Sequence, residues 1–288
     1  MIDADLSGCE FITKLPKLWA PNLESLELAG CVNLDKLTEL GAQNLKYLGL
    51  SYCKNLVEID ECFGSLEKLT TWDLKRCRKL QILPSQLRLK SLDFFMLSGC
   101  SSLEKLPNFH PEMECLNTLE LEGSGIREVP SSIEHLTRLC KLNLLECKNL
   151  GDLPDSIYKL QQLQELDTPT AKLRPTCDSF DGSSRYGFVN MTQLNLHGCE
   201  GIIELDLLMK PDYFPALKEI SLSHTNIVTI PESLSRLPSL ESLLISNCKH
   251  LREIRGLPQS IRTVLAENCM LLDSLSPSGL LKQVSLFL

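Results

Sequence analysis

Thirteen cysteines in 288 residues are the first candidates for chemistry, because a thiolate can attack carbon, ligate a metal or pair with another thiol. Nine of them, Cys9, Cys31, Cys53, Cys77, Cys100, Cys147, Cys199, Cys248 and Cys269, share one set of flanking residues. None is spaced Cys-x-x-Cys from another, so no zinc site is predicted. An odd total, four irregular extra cysteines (Cys62, Cys115, Cys140, Cys177) and the opening MIDADLSGCE, which is not a secretory signal, argue against a disulfide framework. The five histidines, His110, His135, His197, His224 and His250, recur at no ligand spacing. Phosphate-loop, dinucleotide-binding and H-E-x-x-H patterns are missing. The expectation is no catalytic residue, no metal and no cofactor.

The cysteines belong instead to a repeat. Apolar residues stand eight, five and three positions before each one and three and six after it, as in Leu23, Leu26, Leu28, Leu34 and Leu37 around Cys31. Two units replace the cysteine and shorten the next step: LELEGSGIREVP with Ser124 and ISLSHTNIVTIP with Thr225. A degenerate unit runs from Leu163 to Leu173, which makes twelve. Anchors fall 21 to 28 residues apart, and the frame matches L-x-x-L-x-L-x-x-N/C-x-L, the leucine-rich repeat.

Within each unit the alternation predicts a short strand, and in-register copies stack into a parallel sheet. After Leu-Pro, segments such as PSSIEHLTRL, PDSIYKLQQL and PESLSRLPSL carry apolar residues at three-residue steps, which predicts short helices or 3-10 turns. A single unit cannot bury enough apolar surface to fold, so neighbours must cover both its faces. The predicted fold is α/β: a leucine-rich-repeat solenoid, curved like a horseshoe, with the sheet on the concave face and helical turns on the convex one. It is expected to form one domain over 1–288, interrupted by an irregular insertion at 174–190 and taken from a larger chain. In this frame each anchor cysteine turns off the strand and donates a weak S–H bond to a turn carbonyl.

Function then falls to residues pointing outward between the buried leucines. Four positions before the anchors stand Asp5, Glu27, Gly49, Asp73, Met96, Glu120, Asn143, Asp167, Asn195, Ser221, Leu244 and Leu265, acidic at first and apolar at the end. Tyr47 and Phe94, six before their anchors, join Met96 in an apolar patch amid acids. Tyr47, Asp73, Phe94, Met96 and Glu120 are the predicted protein-binding residues. Phe180, Tyr186 and Phe188 are the candidates in the insertion. A net charge of −8 with scattered Lys and Arg argues against nucleic acid, and no apolar run is long enough for a membrane span. The thiols favour a reducing compartment, the cytoplasm or nucleus.

LSGCSSLEKLP, LNLLECKNLGDLPDSIYKLQQL, LELEGSGIREVPSSIEHLTRL and LPQSIRTVLAENCMLLDSL resemble the leucine-rich-repeat region of plant intracellular disease-resistance receptors, the nucleotide-binding class that carries a TIR domain. The resemblance covers nearly the whole chain. It implies recognition of a pathogen effector or a guarded host protein, and restraint of the receptor's own nucleotide-binding module. The sequence itself carries no TIR domain, phosphate loop or post-repeat domain. Another reading is a general intracellular scaffold or ubiquitin-ligase substrate receptor, which would call for an F-box-like segment. A cell-surface ectodomain would call for a signal peptide, many glycosylation sequons and disulfide caps.

Overall fold

A computed structural model of the chain describes residues 2–15, 19–38, 40–169, 187–199, 205, 213–272 and 285–287. They group into two compact units, Met1–Leu160 and Gln161–Leu288. Both are leucine-rich-repeat solenoids.

In the first unit seven strands pair in parallel and in sequence order: Ile2–Asp5, Leu23–Glu27, Tyr47–Gly49, Thr71–Asp73, Phe94–Met96, Thr118–Glu120 and Lys141–Asn143. In the last six of these strands registry is set by one inward residue apiece: Leu26, Leu48, Trp72, Phe95, Leu119 and Leu142 lie side by side in one buried row. A slip by one residue would turn that whole row to solvent, so the register is strongly specified. Trp72 and Phe95 stack at 5.2 Å between centroids.

The second unit repeats the arrangement with Glu165–Asp167, Gln193–Asn195, Glu219–Ser221, Ser242–Leu244 and Thr263–Leu265, whose inner row is Leu166, Leu194, Ile220, Leu243 and Val264. A further strand, Ser285–Phe287, pairs with Thr263–Leu265 beyond the twelve units read from sequence.

On the far side of the repeats the helical turns are 3-10, at Glu61–Ser65, Ser131–His135, Asp155–Lys159 and Glu232–Arg236. The last three fall in the segments chosen from sequence. Prolines cap them, Pro130, Pro154 and Pro231, whose fixed φ suits the entry to the turn. Each turn is five residues long, and tight i→i+3 bonding suits so short a piece.

The sequence boundary of the insertion needs correction. Phe188 is fully buried and stacks on Phe214 at 5.8 Å, its N–H donating to the Tyr213 carbonyl. Asn190 donates through Nδ2 to the Gln161 carbonyl at 2.7 Å. Gly187–Asn190 are therefore part of the repeat, drawn in because an aromatic with the right offset completes the core. Phe180 and Tyr186 lie outside the described residues.

Candidate functional site

The repeating cysteine is structural at every described anchor. From Cys9 to Cys199 its backbone N–H donates to the carbonyl three residues earlier, closing the turn off the strand, as from Cys53 to Leu50 at 3.2 Å. Its thiol donates to the equivalent carbonyl of the preceding repeat: Cys31 to Leu6, Cys53 to Leu28, Cys77 to Leu50, Cys100 to Leu74, Cys147 to Leu121, Cys248 to Leu222 and Cys269 to Ile245, all between 2.9 and 3.2 Å. In the two shortened units a hydroxyl stands at the anchor and bonds differently, Ser124 Oγ lying 3.3 Å from Cys147 Sγ of the following repeat and Thr225 Oγ1 donating to Leu222 O of its own repeat at 2.6 Å.

Burial pushes the thiols of Cys31, Cys147 and Cys269 up, those of Cys53, Cys100 and Cys199 to about 12, and that of Cys77 further still. Thiolate is what reacts and what binds metal, so the ladder is inert near neutrality. Iodoacetamide at about pH 8 is expected to leave Cys53, Cys77, Cys100 and Cys199 unmodified until urea unfolds the chain, as read by peptide mass spectrometry. Labelling of the folded protein at the rate of a free thiol would contradict this assignment.

Immediately before each anchor the backbone is left-handed. Gly8, Gly30, Gly99, Gly123 and Gly198 hold φ of 65–76°, but so do Tyr52, Arg76, Glu146, His224, Asn247 and Asn268 at 58–61°. A side chain there costs about 1 kcal/mol of backbone strain yet is thrust outward along the rim of the sheet. Among the first unit's repeats the order from Cys53 onward is Tyr52, Arg76, Gly99, Gly123, Glu146. Two successive glycines thus open a notch between an arginine and a glutamate.

That notch is the rim of a groove of about 750 Å³. Phe94, Met96, Thr118 and Glu120 line it from the strands, and Lys75, Arg76, Glu122 and Glu146 from the rim. Phe94 is 37% exposed although aromatic. Glu120 is engaged twice, by Asn143 Nδ2 at 2.9 Å and Lys141 Nζ at 3.3 Å. Arg76 places its guanidinium 5.9 Å from the centre of the Tyr52 ring, a cation–π contact.

Of the five strand residues chosen from sequence, the structure brings Phe94, Met96 and Glu120 together in this groove. Tyr47 and Asp73 stand outside its lining. The Tyr47 hydroxyl donates to Glu27 Oε2 at 2.8 Å, and burial together with that carboxylate pushes its pKa up to about 12. Asp73 Oδ1 accepts from the Lys75 backbone N–H at 2.9 Å. The same local bond recurs at Asp5 to Ser7, Glu27 to Ala29, Asn143 to Leu145 and Asn195 to His197. Much of the acidic row therefore caps the end of its own strand, an Asx-type turn that satisfies a backbone donor before the chain leaves the sheet. Tyr52, Lys75, Arg76, Glu122 and Glu146 were not singled out from sequence. Their signal was the pair of glycines before the anchors at 100 and 124, set between charged residues.

Comparison with known proteins adds a family. No curated protein matches this chain. Among solved structures, it is similar to the leucine-rich-repeat protein LIC12759 of Leptospira interrogans, at 20% identity over 91% of this chain and 89% of that one, with a TM-score of 0.40. An internalin, InlF of Listeria monocytogenes, gives 18% identity, 92% and 86% coverage and a TM-score of 0.48. The functional domain of InlJ from the same species, described as including a cysteine ladder, gives 17%, 87%, 54% and 0.43. A family model described as "Disease resistance protein RPS4B-like, leucine-rich repeats" matches residues 88–284, well over half of the chain. On that match, and on the cysteine-anchored repeat that underlies it, the chain belongs to the RPS4B-like disease-resistance family of leucine-rich-repeat proteins.

Proposed function

We propose that this chain is the ligand-recognition module of an intracellular immune receptor of the TIR-type nucleotide-binding class. In this reading the strand face of the first unit binds a pathogen effector or a guarded host protein. Unliganded, the module restrains the receptor's nucleotide-binding domain. The cytoplasm, or the nucleus, is the compartment we assign to it. The family match and the lack of any enzymatic family favour a protein-interaction role over catalysis. The twelve described cysteines are all free thiols, which suits a reducing compartment.

The observation that carries the reading is the pair Phe94 and Met96. They point off the sheet beside a rim of charges, the layout of an interface hot spot: an apolar centre with a polar surround. Their neighbours in sequence, Phe95 and Leu97, are fully buried, so the outward pair is not needed for the core.

The test is a two-hybrid screen of the full chain against a collection of pathogen effectors and host proteins, followed by the double variant Phe94→Ala plus Met96→Ala. Binding to a selected partner is expected to fall at least about tenfold, since a hot-spot residue is worth ~2 kcal/mol or more. The unfolding midpoint should stay within about 0.5 kcal/mol of wild type, because outward strand residues support little core. Undiminished binding by the double variant would remove this face from the reading.

A further inference from the structure

From the groove's charge layout we infer that its occupant is an extended protein segment carrying an acidic, an apolar and a basic residue in that spacing, one end at Arg76 and the other at Glu146. This rests on the proposed protein-binding role of the same face and names the chemistry of the partner.

The groove is dipolar along the axis of the repeats. Lys75 and Arg76 sit at its end nearer Cys77, and Glu122 and Glu146 at the end nearer Cys147. Among the described residues Glu122 and Glu146 make no side-chain hydrogen bond or ion pair, while Lys75 is engaged only through its backbone. Lys141, on the same repeat as Glu146, is paired with Glu120 of the neighbouring strand at 3.3 Å, so its charge at that end is met within the lining. With the Arg76 guanidinium over the Tyr52 ring face, charges of opposite sign thus stand at opposite ends of an apolar floor.

The length between the ends follows from the fold. Arg76 and Glu146 belong to repeats three strands apart, and parallel strands lie ~4.8 Å from their neighbours, which gives about 15 Å. An extended chain rises ~3.3 Å per residue, so charges four residues apart reach both ends, with the middle side chain over Phe94 and Met96. A partner of one charge sign meets attraction at one end and repulsion at the other.

The glycines keep this space open. A Cβ at Gly99 would stand 3.2 Å from Arg76 Cγ, and one at Gly123 would stand 4.0 Å from Glu146 Cβ. Each would also be forced into a left-handed backbone, φ of 76° and 65°. Arg76 leans its stem across the bare Gly99 backbone, so the arginine walls the groove beside its floor of Phe94 and Met96.

Three capped peptides test the inference by fluorescence anisotropy on the full chain: Asp-Ala-Leu-Ala-Arg, Asp-Ala-Leu-Ala-Asp and Arg-Ala-Leu-Ala-Arg. Wild type is expected to favour the mixed peptide by at least ~3-fold over either other, the scale of one exposed ion pair. Glu146→Lys should move the preference to the all-acidic peptide and Arg76→Glu to the all-basic one. Arg76→Glu places a residue type that the left-handed position already holds at 146, and Glu146→Lys places a long cation where the equivalent position at 76 holds an arginine. Preference of wild type for a single-sign peptide, or no binding of any of the three at millimolar concentration, would overturn the inference. So would an unchanged ranking in both variants. If that ranking stays fixed while Phe94→Ala plus Met96→Ala still abolishes capture of a screened partner, the charge reading fails and the protein-binding role stands. If the double variant binds its partner normally, the protein-binding role itself fails.

Discussion

Phe95→Ala is expected to destabilise the first unit by about 3–5 kcal/mol, the largest effect of any single substitution discussed, and urea denaturation or calorimetry would read it. Phe95 is fully buried at the centre of the inner row and stacked on Trp72 at 5.2 Å. Truncation leaves a cavity walled by Trp72 on one side and Leu119 on the other, each fixed by its own strand pairing, so the site has little freedom to collapse. Loss of the ring pair adds to the transfer and cavity costs. Phe94→Ala, one residue away but outward, is the control and should change stability by less than about 0.5 kcal/mol. Equal costs at 94 and 95 would mean that the assigned alternation is wrong.

The second large effect is expected at Gly125, and there the cause is steric. Its N–H donates to the Cys100 carbonyl at 3.1 Å, which draws the shortened unit tight against the preceding repeat. A Cβ at this position would collide with the Ser101 carbonyl oxygen and stand 3.0 Å from its carbon and 3.2 Å from the Leu103 carbonyl oxygen. All three are backbone atoms and cannot swing aside. Gly125→Ala should therefore cost about 1–3 kcal/mol or more as the two repeats are pushed apart. Gly151→Ala, whose nearest neighbour would be the Arg127 carbonyl oxygen at an ordinary 3.5 Å, should be close to neutral. Indistinguishable midpoints for the two variants would refute the close approach.

The fold was legible because its determinants are periodic. Each buried leucine and each anchor cysteine occupies a fixed place in the frame, and a parallel stack follows from any one unit once its neighbours are known to be alike. The tight helical turns were legible for the same reason, since Leu-Pro marks where they begin. The site was legible in part. Phe94, Met96 and Glu120 could be read as outward from alternation alone. Tyr47 and Asp73 obey the same alternation, yet Tyr47 is bound to Glu27 and Asp73 to the Lys75 backbone, contacts that pattern does not report.

The rim residues escaped because their position is defined by a backbone angle. Tyr52, Arg76 and Glu146 hold a conformation usually reserved for glycine, and nothing in their chemistry announces it. Phe188 was misplaced for the opposite reason: its neighbours lack periodicity, and only packing on Phe214 reveals it as core.

The thiol ladder has a bearing on how such genes change. From Cys31 to Cys100 each thiol donates to the equivalent carbonyl of the unit before, through chemically equivalent atoms at each step. Unequal crossing-over that duplicates or deletes one whole unit of that run would leave each thiol donor and carbonyl acceptor matched, whereas a breakpoint inside a unit would orphan both. Diversity in ligand-facing residues can accordingly be shuffled in complete modules while the spine is inherited intact.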